Sequence, residues 1–174
     1  MGNSPSIYEK ASLLRDAVFA ADDGIITTFA VVAGSTGAGL HPSIAVILGF
    51  ANLFADGFSM ATGIYMGVKS EQEYEKAEGS GHWRYDSPFK NAVVTYFSFV
   101  IAGLFPILPY LFKMKSAFVI SCLLVALVLF TIGVLKGIYT KKHWLRSGIE
   151  MLAIGGVSAI LAYAVGYLLD TFVV

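Results

Sequence analysis

Long apolar stretches alternate with short polar segments along the chain: Ala17–Leu40, Ser43–Val68, Asn91–Phe112, Ser116–Tyr139 and Leu145–Phe172. At about 1.5 Å of rise per residue, each is a helix able to cross a hydrocarbon layer of roughly 30 Å. The pattern therefore predicts an all-α integral membrane protein with five transmembrane helices. The second stretch, about 26 residues and some 39 Å long, runs without a stop into the acidic KSEQEYEKAE, so its helix is expected to continue beyond the membrane until Gly79-Ser80-Gly81 breaks it. Residues 82–90 then read as an interfacial connector, with Trp83 and Tyr85 at headgroup level. Pro106 and Pro109 should kink or unwind the far end of the third span. In domain terms, residues 1–16 form a polar tail and residues 17–174 a transmembrane unit, with 69–90 as a short acidic helix and connector.

Composition agrees with the pattern. The chain is 56% hydrophobic and 14% charged, with a mean hydropathy of +0.71, values far from those of a soluble domain of 174 residues. The net charge is zero, and no basic block with interleaved aromatics points to nucleic acid. Cys122 stands alone in an apolar run, which suits packing rather than redox chemistry. No short apolar segment with a small-residue cleavage site follows the polar beginning, so residues 1–16 are expected to be retained. The cations matter by position. Lys10, Arg15, Lys69, Lys76, Arg84, Lys90, Lys136, Lys141, Lys142 and Arg146 fall at one end of the five spans, and Lys113 and Lys115 at the other. The positive-inside tendency puts the first end, with the N-terminus and the acidic extension, in the cytoplasm and Val174 outside it. A plasma or inner membrane is favoured over a vacuolar one.

The chemistry lies in the polar residues inside the spans. Asp56 sits near the middle of the second, where an ionised carboxylate costs on the order of 2.5–3.5 kcal/mol and so needs a partner, a cavity or an ion. Asn52, Asp56, Met60 and Gly63 recur at helical spacing and share one face with Met66 or Gly67, offering an amide, a hard oxygen and a soft sulfur. In the first span, Asp22 either caps a helix or belongs to the polar face. Asp23 is the stronger candidate beside Gly24, Thr27 and Thr28, and Gly34 and Gly37 offer a small surface through which first helices would meet in a two-fold dimer. Glu71, Glu75 and Glu78 fall on one face of the extension, where they either gather a cation or form a solvated face balanced by Lys69 and Lys76. Arg146 and Glu150 are spaced for an ion pair.

Three segments in this order resemble the vacuolar iron transporter and Ccc1 (VIT) family of membrane metal exporters: DDGIITTFAVVAGSTGAG, ANLFADGFSMATGIYMGVKSEQE and SPFKNAVVTYFSFVIAGLFPILPYLF. WLRSGIEMLAIGGVSAILAYAVGYL is similar to the family's last helix. The resemblance implies five transmembrane helices, a homodimer with the metal path at the subunit interface, and export of Fe(II) or Mn(II) from the cytoplasm in exchange for protons. It matches the family's first-helix aspartate to Asp23 and its second-helix methionine to Met60, and likens Glu71, Glu75 and Glu78 to the start of a cytoplasmic metal-binding helix. Plant-type members have a glutamate where this chain has Asn52, which passes the acidic role to Asp56. They also have a three-helix metal-binding domain between spans two and three, where this chain has only about twenty residues, so it resembles a compact form.

The leading expectation is thus a dimeric transporter whose partners are divalent metal ions, protons and membrane lipid, with Fe(II) or Mn(II) as cargo and no resident cofactor. The competing reading is a non-transporting membrane scaffold in which Asp23 and Asp56 are structural. An enzyme is disfavoured, because His41, His82 and His143 all lie outside the spans and no nucleophile–base pair lies within them.

Overall fold

A computed structural model describes residues 7–79 and 86–172. Within them the ordered elements are all helices: α1 (Ile7–Gly37), α2 (Pro42–Ala77), α3 (Pro88–Leu104), α4 (Leu108–Leu111), α5 (Ala117–Tyr139) and α6 (Trp144–Phe172). Four of these, α1, α2, α5 and α6, are long and apolar enough to cross a membrane. The remaining expected span is divided into α3, of 17 residues, and α4, of four. The chain leaves the helix at Leu104, ahead of Pro106 and Pro109, whose missing N–H groups cannot continue the ladder. The freed carbonyl of Pro106 accepts a hydrogen bond from Ser121 Oγ on α5 at 2.8 Å, so the break is not left unsatisfied.

Helix α1 is the centre of the bundle, packing against α2, α3, α5 and α6. Its Ile25, Phe29 and Val32 meet Ala45 of α2, Ala102 of α3, Tyr110 of α4, and Val125 and Leu129 of α5 in one apolar cluster. Ala20, Leu53, Phe99 and Ile107 form a second, with Met60 packed against it. Between helices in lipid, close approach depends on small residues rather than on water exclusion. A methyl group at Gly24 would overlap the Phe99 carbonyl of α3, and one at Gly103 would overlap the Gly24 carbonyl. Backbone therefore touches backbone where α1 crosses α3.

The same logic corrects the expected dimer surface. A Cβ at Gly37 would overlap the Tyr163 carbonyl of α6, and one at Gly166 would overlap the Gly34 carbonyl. The small face of α1 is filled by α6 of its own chain, so first helices cannot meet there.

Helix α1 also begins at Ile7, ahead of the expected span start at Ala17. Its first turns are held by buried polar groups. Asn91 Nδ2 of α3 donates to Ser12 Oγ and to Asp16 Oδ2, both at 2.7 Å, and Arg15 Nε meets Asp16 Oδ1 at 2.8 Å. Nearby, Lys90 Nζ pairs with Glu9 at 3.1 Å. Helix α2 continues through the acidic stretch to Ala77, with Gly79 in the left-handed conformation at φ 65°, as its glycine foretells. Its other end is capped by His41, whose Nδ1 accepts from the Ser43 N–H at 3.3 Å. Trp83 and Tyr85 of the connector, with Arg84 and the Ser80-Gly81 breaker, lie outside the described residues.

Candidate functional site

The α1–α2 register brings the polar residues together. The two helices are joined by a short turn and run antiparallel, and Asn52 Nδ2 donates to Thr27 Oγ1 at 3.3 Å. One turn earlier on α1 is Asp23, and one turn later on α2 is Asp56, so the carboxylates lie at one level, within electrostatic reach of each other. Thr27 Oγ1 in turn donates to the Asp23 carbonyl at 2.8 Å, which leaves the Asp23 carboxylate uninvolved. Met60, a further turn along α2, packs against the cluster of Ala20, Leu53, Phe99 and Ile107. Asn52, Asp56 and Met60 are all partly buried along this seam, as is Asp23.

Three acids of α1 now differ in a way the sequence does not show. Asp16 is 1% exposed and held by Asn91 and Arg15. Asp23 and Asp56, among the described residues, accept no side-chain hydrogen bond and join no ion pair. Asp22, adjacent to Asp23, has a buried Oδ1 with no partner and lies within electrostatic reach of Lys136 on α5. Because α1 starts at Ile7, Asp22 is deep inside the helix and is not a cap. Its place in the polar cluster, and the Thr27 link, were discoverable only as small polar residues at helical spacing.

The acidic extension is a separate region. Glu71 and Glu75 lie in the last turns of α2 and Glu78 is its C-cap residue. Glu71 is about 22 Å along the helix from Asp56 by rise per residue. Glu71 and Glu78 face outward and Glu75 is half-buried. Lys69 and Glu73 pair at 3.9 Å, and Arg15 at the start of α1 lies within electrostatic reach of Glu71 and of Asp86. Gln72 Nε2 donates to the Asp86 carbonyl, tying the extension to the approach of α3. Arg146 and Glu150 are not within ion-pair distance of each other; they line one cavity instead. Among the described residues, no three His, Cys, Asp or Glu side chains gather to hold a metal ion. The seam between α1 and α2 thus holds two carboxylates, an amide and a thioether.

Comparison with known proteins bears on what this arrangement serves. The family model described as the VIT family matches residues 14–84 and 79–167, two stretches that join in the connector after α2. The chain is 26% identical to the vacuolar iron transporter of Toxoplasma gondii (strain ATCC 50861 / VEG), over 98% of its own length and 77% of the relative's. That alignment spans 238 residues, more than the 174 of this chain, so the relative carries additional segments. Vacuolar iron transporter homolog 4 of Arabidopsis thaliana is 29% identical over 85% of this chain and 79% of its own. Homolog 3 of the same plant is 27% identical over 89% and 82%. With most of its length matched, its helices of membrane length and its polar seam between α1 and α2, the chain belongs to the VIT family, as a multi-pass membrane transporter and not an enzyme.

Proposed function

We propose that the protein exports Fe(II) or Mn(II) from the cytoplasm in exchange for protons, through a site built on Asp23, Asp56, Asn52 and Met60. The observation that carries this reading is the contrast between the acids. A carboxylate kept for structure looks like Asp16, whose oxygens are taken by Asn91 and Arg15. Asp23 and Asp56 are opposed across a helix seam with no such partners, an arrangement that a packing role does not need and that a bound cation satisfies. The scaffold reading would require both to be held as Asp16 is.

The chemistry follows from the donor set. Two carboxylates sharing low-dielectric space need a compensating cation, and either a divalent metal or protons supply it. Metal release is thereby coupled to proton uptake at the same oxygens. The Met60 thioether favours transition metals over Mg²⁺ and Ca²⁺, and the names of the relatives point to iron. Export is supported by orientation: Lys90 pairs with Glu9 and Arg15 is near Glu71, so these charged ends share one side, and the excess of cations there favours a cytoplasmic placing of that side. On this reading α3 and α4 together make the fifth crossing, and Glu71, Glu75 and Glu78 gather metal at the cytoplasmic mouth.

A homodimer completes the coordination. The outer face of α2 is open at Gly63 and Gly67, where an added methyl would meet nothing. A two-fold copy seated there would bring a second set of carboxylates to the first. The test is Fe(II)- and Mn(II)-driven transport in sealed proteoliposomes carrying an internal pH dye. Metal movement without a matching proton flux would remove antiport, and no metal movement would favour the scaffold.

A further inference from the structure

A second site lies at the same end of the bundle, away from the polar seam. Lys136 in the last turn of α5, Lys142 and His143 in the turn, and Arg146, Ser147 and Glu150 at the start of α6 line a cavity of 660 Å³. Lys136, Lys142 and Arg146 have no carboxylate within 4 Å among the described residues, Glu150 included, although Asp22 is within electrostatic reach of Lys136. Ser147 is only 5% exposed. Its Oγ has no hydrogen-bond partner, though it lines this cavity. The buried position is imposed by Gly133 and Gly137, where any Cβ would crowd Ser147, Gly148 and Trp144. A buried hydroxyl without a partner is costly, so a ligand oxygen is the natural complement. Helix α6 also opens here, adding the positive end of its dipole.

Lys136 lines a second space as well. An apolar groove of 590 Å³ runs between α1, α3 and α5, along Val18, Val93, Phe97, Ile101 and Ile132 to Lys136 and Tyr139. On α5 it extends from Tyr139 back to Val128, roughly 16 Å by helix rise, which suits much of a lipid acyl chain. A basic cavity at headgroup level, continuous through one lysine with an apolar groove at chain level, has the two halves of a phospholipid. We propose that this is a specific site for an anionic phospholipid, its phosphate held by Lys136, Lys142, Arg146 and the Ser147 hydroxyl and one acyl chain lying in the groove. Charge complementarity selects the anionic headgroup over zwitterionic lipid.

Trp144 stands in the same turn as His143, with their rings stacked at 6.4 Å, and serves as the reporter. The chain has two tryptophans, so Trp83→Phe leaves Trp144 alone. The full-length variant is reconstituted in phosphatidylcholine vesicles containing acyl-brominated phosphatidylglycerol or, in parallel, acyl-brominated phosphatidylcholine. Brominated phosphatidylglycerol is expected to quench Trp144 at lower mole fraction, and Lys142→Gln or Arg146→Gln each to reduce that preference by roughly three- to five-fold. Lys142→Arg should retain it, which separates charge recognition from a folding defect. Equal quenching by the two lipids overturns the proposal in favour of non-selective annular lipid. Relief of the quenching by an excess of inorganic phosphate also overturns it, in favour of a free-anion site.

Discussion

Asn52 of α2 and Thr27 of α1 are joined by a hydrogen bond of 3.3 Å, one helical turn from Asp23 on α1 and one from Asp56 on α2, which lie within electrostatic reach of each other. Asn52→Leu removes the donor while keeping the volume. Hydrogen bonds between membrane helices contribute about 0.6 kcal/mol on average, so the fold should survive with a small loss of stability. Transport should fall further than stability does, because the seam would no longer hold its register. A stable variant with unchanged metal transport would show that the contact does not position the acids.

Selectivity is expected to rest on Met60. Met60→Leu preserves the apolar packing against Ala20, Leu53 and Phe99 but removes the sulfur. Fe(II) and Mn(II) transport should weaken and discrimination against Mg²⁺ and Ca²⁺ should relax, read as competition by the hard ions in proteoliposomes. Unaltered competition would make Met60 a packing residue only.

The glycines separate fold from assembly. Gly166→Leu places a side chain against the Gly34 backbone and should unfold or disorder the α1–α6 contact, costing at least about 1–3 kcal/mol. At Gly63 an added Cβ meets nothing within 4 Å inside the chain, so Gly63→Leu is expected to be accommodated there. It should leave helicity and thermal stability unchanged while shifting a detergent-solubilised dimer toward monomer by light scattering. Dimers that persist in Gly63→Leu would move the interface elsewhere on the surface.

How far the sequence reading reached is clear at these positions. Uninterrupted apolar runs located the long helices, and Pro106 and Pro109 located the break before α4, because those features act through the local backbone. Gly34 and Gly37 announced close packing but could not say with which helix, since a small face is complementary to any backbone; α6 occupies it. The first turns of α1 were read as tail because Ser12 and Asp16 are polar. Both are buried where α1 packs on α3 and both accept hydrogen bonds from Asn91, which lies far along the chain. Asp22 was ambiguous for a related reason: a cap is defined by where the helix begins, and here it begins at Ile7.

The acidic end of α2 is expected to govern capture rather than passage. Replacing Glu71, Glu75 and Glu78 together with Gln removes three carboxylates that lie about 22 to 33 Å along the helix from Asp56 without touching the seam. The metal concentration for half-maximal transport should rise while the maximal rate is largely kept, measured by initial rates over a metal titration. An unchanged titration would leave these residues as a solvated face.

The decisive comparison is between Asp16 and the seam aspartates, Asp23 on the same helix and Asp56 on α2. Asp16→Asn disturbs a buried carboxylate held by Asn91 and the half-exposed Arg15, and weakening such charge-assisted hydrogen bonds costs about 1.5–3 kcal/mol. Its effect should be a lower unfolding temperature, with transport reduced only as far as folded protein is lost. Asp23→Asn and Asp56→Asn are nearly isosteric and remove a charge that has no hydrogen-bonded partner to lose. A neutral amide is easier to hold in a membrane than a carboxylate, so these variants should be at least as stable as the parent. They should nonetheless abolish metal-driven proton movement, because the substituted position can no longer release a proton or offer its charge when metal arrives, and the remaining carboxylate alone does not balance a divalent ion. Asp16→Asn is thus expected to lower stability more than transport, and the two seam variants transport more than stability. If Asp56→Asn moves Fe(II) at the parental rate and pH dependence, the pair is not the coupling site, and Asp22 with Asp23 becomes the next place to look.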